Sequence, residues 1–265
     1  MRKAPGYRWA AIFVSALLLA GCASNRHGSA DGELPTSSDQ TNVQKRAAIH
    51  LELAVGYYQR HEMKVALDEI KQVLQADPGS SEAYSMRGLI YMDMDETRLA
   101  EENFLHAIRL APNNPDFSNN YGWFLCQNGR PRESIAYFEA TLKSRNYTSP
   151  GKAMNNAGIC SLKLEDTVAA EKYFLRAFQF EPGNTGINLN LAKLYYGRQD
   201  YERSNFYVGR VIKAEVYDAD VLWLALKIAH KLGDRLAEAT LGAQLRHYQP
   251  DSLEYSAFQR GAFDE

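Results

Sequence analysis

The chain has 265 residues, 23% of them charged and 45% hydrophobic, which is the composition of an ordinary soluble globular protein. Thirty Lys and Arg stand against 32 Asp and Glu, a net charge of −2. So balanced a chain carries no electrostatic footprint for nucleic acid or for an anionic membrane surface.

The first residues read as a processing segment. Arg2, Lys3 and Arg8 make a basic start, and residues 9–20 form an apolar run of about twelve. A membrane-spanning helix needs about twenty residues, so this run is too short to cross. It ends in Leu19-Ala20-Gly21-Cys22, which resembles the bacterial lipobox. That resemblance implies a lipoprotein signal peptide over 1–21, cleavage before Cys22, and lipid attached to Cys22. An uncleaved anchor with an incidental cysteine is the alternative. Ala23 stands where an aspartate would resemble an inner-membrane retention signal, so the resemblance points to the outer membrane, facing the periplasm. Residues 22–44 are polar and rich in Gly, Ser and Pro, and cannot bury enough surface to order themselves. They are expected to be a flexible tether with a mean reach of roughly 25 Å.

A repeat begins near Val43 and continues to Pro250. Gly88, Gly122 and Gly158 recur at intervals of 34 and 36, and so do Phe104, Phe138 and Phe174. Ala100, Ser134 and Ala170 keep the same steps, and Pro112 and Pro182 close two of the copies. Three features sharing one period, including the same two-residue slip, define a repeat array. The pattern resembles the tetratricopeptide repeat, a helix–turn–helix unit (helix A, then helix B). The resemblance implies an all-α, right-handed superhelical solenoid of about six repeats over residues 45–250. It also implies a reason for each landmark. The glycines let helix A approach helix B, the phenylalanines fill the space between repeats, and the prolines end helix B. The first repeat carries Leu53, Ala54, Tyr57, Ala66, Ile70 and Pro78. In the second, Arg87 occupies a place the family keeps apolar. The third ends in a longer turn, 146–150, which accounts for the step of 36. In the fifth, Ser204 and Val208 replace the usual Ala and aromatic. In the sixth, Glu238 and Gly242 depart from the pattern. Residues 251–265 are expected to form a short capping helix and a frayed end.

Nothing in the sequence marks an enzyme. The six histidines are scattered, with no metal-ligand spacing, no nucleophile elbow and no phosphate loop. No catalytic residue, metal, cofactor or small-molecule substrate is expected, and Glu101 and Glu102 read as solvated helix surface. In the tetratricopeptide family, helix A lines the concave groove. Carried onto this chain, the groove residues are Leu51, Val55 and Tyr58, then Ser85, Leu89 and Met92. Asn119, Trp123 and Cys126 follow in the third repeat, Asn155, Ile159 and Leu162 in the fourth, and Leu189, Lys193 and Tyr196 in the fifth. Such a face binds peptides, with Asn free to bond a peptide backbone; packing within the superhelix is the alternative. Cys126 and Cys160 lie on helix A of adjacent repeats. In an oxidising compartment they are expected to be bridged, with two buried thiols as the alternative.

Lipobox, tether and six repeats together resemble the type IV pilus biogenesis lipoproteins, the secretin pilotins. The run Asn120-Tyr121-Gly122-Trp123-Phe124-Leu125-Cys126 and the tail 255–263 carry the same resemblance. It implies an outer-membrane lipoprotein that binds the pilus secretin and promotes its localisation and multimerisation. A general periplasmic scaffold for cell-wall or envelope assembly is the alternative.

Overall fold

The structure, a computed structural model, describes residues 41–264. The expected leader over 1–21, Cys22 and most of the tether lie outside the described residues. Among the described residues there are thirteen α-helices and no strand. Twelve of them pair as α1 (Asn42–Gln59) with α2 (Met63–Ala76), α3 (Ser81–Asp93) with α4 (Thr97–Leu110), and α5 (Pro115–Gln127) with α6 (Pro131–Lys143). The remaining pairs are α7 (Pro150–Lys163) with α8 (Thr167–Phe180), α9 (Thr185–Gly197) with α10 (Tyr201–Lys213), and α11 (Ala219–Leu232) with α12 (Arg235–Tyr248). Helix α13 (Leu253–Arg260) follows. Each pair is one repeat, so six are present among the described residues, stacked in order as a solenoid.

Local chemistry sets the helix ends. Helices α2, α4, α8 and α12 each stop two residues before Pro78, Pro112, Pro182 and Pro250, since the residue preceding proline leaves the helical region. Ser80, Asn114 and Asn184 accept a backbone N–H at the start of α3, α5 and α9, at 3.2, 2.9 and 3.2 Å. Between helix A and helix B the chain reverses through a left-handed residue in every repeat: His61, Asp95, Gly129, Glu165, Gln199 and Gly233. This position follows the 34- and 36-residue steps as faithfully as the glycines do.

The contact between the two helices of a repeat explains the sequence periods. A Cβ built on Gly88 would lie 2.8 Å from the Phe104 ring, on Gly122 3.0 Å from Phe138, and on Gly158 2.4 Å from Phe174. All three rings are fully buried, each contributing about 1.5–3 kcal/mol by its removal from water. The weaker repeats keep the sixteen-residue spacing but share the volume differently. Ala54 faces Ile70 in the first core cluster, and Ala192 and Val208 share another. In the sixth repeat the order inverts, with buried Leu226 at the glycine place and Gly242 at the ring place. Gly242 then receives the next element: a Cβ there would lie 2.4 Å from the Phe258 ring. So α12 serves as helix B to α11 and as helix A to α13, which explains the departure at Gly242.

The C-terminal end is more ordered than a frayed tail. Phe263 is 8% exposed and stacks on Trp223 and His230, with ring centres 5.4 and 3.9 Å away. Lys231 pairs with Asp264 at 2.5 Å. Two aromatic anchors therefore close the last repeat: Phe258, on the expected capping helix and sixteen residues after Gly242, and Phe263, which the period does not reveal. Arg87 is also accommodated: its Nε donates to Asn103 Oδ1 at 2.6 Å and its guanidinium lies over the Tyr84 ring at 5.0 Å.

Neighbouring repeats are also tied by carboxylates. Glu101 is one end of such a tie, not free solvated surface: it accepts from the Tyr121 hydroxyl at 2.8 Å and from Arg130 at 2.6 Å. Glu171 is held the same way by Tyr195 at 2.7 Å and by Arg198. The Tyr195 hydroxyl first, and then Arg198, lower the Glu171 carboxyl below its ordinary pKa. A carboxylate depressed on folding adds stability above its unfolded pKa of about 4.3, and that stability is lost as pH falls through the folded value. Glu171→Gln should therefore melt lower than wild type at pH 7, by less than about 1 kcal/mol for a pair so near the surface. The two melting curves should draw together as pH falls from about 4.3 through that lowered folded value. A difference that persists undiminished at pH 3 would show that Glu171 acts by shape alone.

Candidate functional site

The expected groove residues separate into three groups. Tyr58, Leu89, Met92, Asn119 and Trp123 line one pocket of about 270 Å³, together with Asp93, Asn120, Lys152 and Asn156. These side chains come from helix A of the first four repeats. Lys193 and Tyr196 line a second pocket of about 320 Å³, with Asp220, Trp223, Leu224, Lys227 and Glu254 among its walls. The other expected residues stand elsewhere. Leu51 packs on the core of the first repeats, and Ile159, Leu162 and Leu189 on the core of the later ones. Ser85 is 3% exposed, Asn155 is half-buried, and Val55 is 37% exposed but lines neither pocket. A larger hollow of about 540 Å³ sits near Phe258 and is lined by none of the expected groove residues.

The asparagines mainly bond one another. Asn120 Nδ2 donates to Ser85 Oγ at 3.2 Å, Asn156 Nδ2 to Asn119 Oδ1 at 3.3 Å, and Asn190 Nδ2 to Asn155 Oδ1 at 2.9 Å. Each bond joins helix A of one repeat to helix A of the next. Asn119 is 1% exposed, so it belongs to the floor of the first pocket. An amide carries two N–H groups and two lone pairs, and one bond per side leaves capacity on Asn120 and Asn156 for a ligand.

The first pocket is amphipathic. Tyr58, Leu89, Met92 and Trp123 form an apolar wall, with Asp93 and Lys152 as opposite charges on its rim. Burial, and then hydrogen bonding to the Asp93 carboxylate, push the Tyr58 phenol well above its ordinary pKa, so it remains a neutral donor. In the second pocket Lys193 pairs with Asp220 at 3.1 Å, and the Lys227 ammonium lies over Tyr196 and Trp223 at 5.4 and 5.7 Å. Trp223 and Lys227 are not among the expected groove residues, which stop at the fifth repeat; the same register one repeat further, 34 residues on from Leu189 and Lys193, reaches both.

Cys126 and Cys160 are joined, with Cα atoms 5.8 Å apart and sulfurs 2.05 Å apart. Both are fully buried between helices α5 and α7, so Cys126 does not line the groove. Among the described residues no group of three His, Cys, Asp or Glu could hold a metal ion, and no helix is long and apolar enough to cross a membrane.

Six stacked helical hairpins, three of them with a glycine facing a buried ring, and an inner face built from helix A define a tetratricopeptide-repeat solenoid. Tetratricopeptide-repeat family profiles match residues 81–114, 103–136 and 125–184. The crystal structure of PilW, a widely conserved type IV pilus biogenesis factor, superposes with a TM-score of 0.74 at 32% identity, covering 83% of this chain and all of that one. The type IV pilus assembly protein PilF of Pseudomonas aeruginosa is 27% identical over 252 residues, 95% of this chain and 98% of its own length. A structure of Pseudomonas aeruginosa PilF superposes with a TM-score of 0.73 at 25% identity, covering 83% of this chain and all of that one. The chain belongs to the tetratricopeptide-repeat family of type IV pilus biogenesis factors.

Proposed function

We propose that this protein is a pilotin: an assembly factor that binds the type IV pilus secretin and promotes its localisation to the outer membrane and its multimerisation. Membership of the pilus biogenesis family supports a role in pilus assembly, and the apolar pocket on helices A supplies a place for a peptide. The pocket carries the reading, because a non-covalent assembly factor needs a concave, apolar and partly polar surface for its client. The lipobox resemblance of Leu19-Ala20-Gly21-Cys22 supports anchoring through lipid on Cys22, with the repeats facing the periplasm. Several acyl chains make such anchoring stable where one chain is marginal.

Binding energy concentrates in a few buried apolar or aromatic anchors. Tyr58→Ala, Leu89→Ala and Trp123→Ala should each weaken secretin binding by roughly thirtyfold, about 2 kcal/mol, and reduce secretin multimers in envelope fractions. Exposed Glu202→Ala on α10 should leave both unchanged. Melting temperatures separate binding from folding. Normal multimers in all three groove variants, or a loss that only tracks a loss of folded protein, would defeat the proposal. Recovery of a cell-wall synthase instead of the secretin from solubilised envelope would favour a general envelope scaffold. Cys22→Ala should leave the folded repeats intact and release them from the outer-membrane fraction; continued fractionation with that membrane would overturn the lipid assignment.

A further inference from the structure

Lys227 stands in the middle of α11 with its ammonium over two ring faces, Tyr196 at 5.4 Å and Trp223 at 5.7 Å. It is half-buried, and among the described residues no hydrogen bond or ion pair holds it. Its own helix supplies no acid. The residues three and four places on are His230 and Lys231, and those three and four places back are Leu224 and Trp223. The two acids on the walls of the same pocket are both answered elsewhere. Asp220 pairs with Lys193 at 3.1 Å and lies in the first turn of α11. Glu254 lies in the first turn of α13, where the unpaired N–H groups of a helix start favour negative charge.

The rings fix the place of the Lys227 charge but leave its three N–H donors without an oxygen to accept them. The register shows that this charge is no isolated case. On successive helices A its position reads Val55, Leu89, Trp123 and Ile159, then Lys193 and Lys227. The inner face therefore turns from apolar to basic between the fourth and fifth repeats. Lys193 and Lys227 flank one cleft of about 320 Å³, and Tyr196, Trp223 and Leu224 supply its apolar walls.

We infer that this second pocket binds an acidic side chain of a protein partner, its carboxylate meeting Lys227 and an adjoining apolar residue lying against Tyr196 and Leu224. An ammonium–carboxylate hydrogen bond is about twice as strong as a neutral one, and apolar walls lower the screening around it. A side chain, not a chain end, follows from the place of the pocket. Helix α7 of the first pocket and α9 of the second are neighbouring helices A, so a segment laid along the inner face passes the second pocket instead of ending in it. To that extent the inference rests on the groove reading and deepens it. Glu254 repels a carboxylate in this cleft, so its neutralisation should tighten binding. A cationic ligand would reverse that sign.

Gly197 is the place for a probe: it lines the pocket, is exposed, and has nothing within 4 Å of a Cβ. A benzophenone amino acid at position 197 of the full-length chain, in cells that build type IV pili, captures the partner. Mass spectrometry identifies the segment, which is then synthesised as a peptide with both ends blocked. The expected segment carries Asp or Glu beside the crosslinked residue. Lys227→Met should weaken its binding to the purified chain by at least about tenfold, Glu254→Gln should strengthen it, and exposed Lys172→Met on α8 should leave it unchanged. Replacing the peptide's acid by its amide should cost as much against wild type and nothing further against Lys227→Met. Melting temperatures within about 2 °C of wild type separate binding from folding, and the peptide substitution needs no variant of the protein. A segment without an acid, a blocked peptide that does not bind, additive losses, or weaker binding to Glu254→Gln would overturn the inference. So would crosslinks only to lipid, to a second copy or to the chain itself, or no crosslink. The same amino acid at position 123 reads the first pocket independently. Crosslinks at 123 with none at 197 reject the acidic contact and leave the groove reading standing. Crosslinks at 197 with none at 123 reject the groove reading and leave the acidic contact.

Discussion

Gly158→Leu should destabilise the protein by about 3–5 kcal/mol, as much as deleting a buried aromatic ring. The Cβ alone would sit 2.4 Å from Phe174, whose ring is fully buried, so the ring must leave its site to admit any side chain. Overpacking of a closed core ordinarily costs about 1–3 kcal/mol, and here the displaced group is itself a principal core element. Alanine is a less decisive probe, because its better helix propensity returns about 1 kcal/mol. Gly209→Ala on α10 is the control: nothing lies within 4 Å of a Cβ there, and about 0.5–1 kcal/mol of stabilisation is expected. The fifth repeat indicates the repair. It uses Ala192 with Val208, so Gly158→Ala combined with Phe174→Val should lose less stability than the sum of the two single changes. Urea unfolding of the four proteins measures that coupling. Strict additivity would show that the glycine and the ring do not share one volume.

Removing the Cys126–Cys160 bridge should cost about 3–4 kcal/mol. The two residues are 34 apart in sequence, and closing a loop of that length restricts the unfolded chain by roughly this amount. Cys126→Ser/Cys160→Ser tests it by thermal unfolding, with an expected fall of about 6–16 °C for a domain of this size. The bridge spans α5 and α7, helix A of the third and fourth repeats. It crosses the junction where the period lengthens by two residues. Tyr147, in that longer turn, is 9% exposed, and burial pushes its phenol above the ordinary value, reinforced by Asp116 and Glu181. Repeat arrays are stable through nearest-neighbour contacts, so a weakened junction should split the unfolding transition. A single transition at the wild-type temperature would refute the claim, and two reactive thiols in the denatured, unreduced wild type would remove its basis.

Gly88, Gly122 and Gly158 with Phe104, Phe138 and Phe174 made the fold legible without coordinates. A helical hairpin that must stack on its neighbours needs a close approach and a filler at fixed places, so stacking writes a period into the chain. Pro78, Pro112, Pro182 and Pro250 marked helix ends for an equally local reason, the missing donor of the imide. Composition bounded the partner class, and the histidine and cysteine spacings offered no metal or nucleophile to pursue. The groove was legible by register, which located Tyr58, Leu89, Met92 and Trp123 on one wall. Register could not tell which helix A residues line a pocket: Leu51, Ile159, Leu162 and Leu189 are partly buried against the core clusters and line neither of the two groove pockets. Nor could it find the asparagine ladder, whose partners lie 35 to 37 residues apart. The bridge between Cys126 and Cys160 was expected from their places on helix A of adjacent repeats, whereas the double role of Gly242 and the seating of Phe263 were as hidden as the ladder. Each depends on how far one helix lies from another, a distance set by the summed volume of several non-adjacent side chains, and no local pattern encodes that sum.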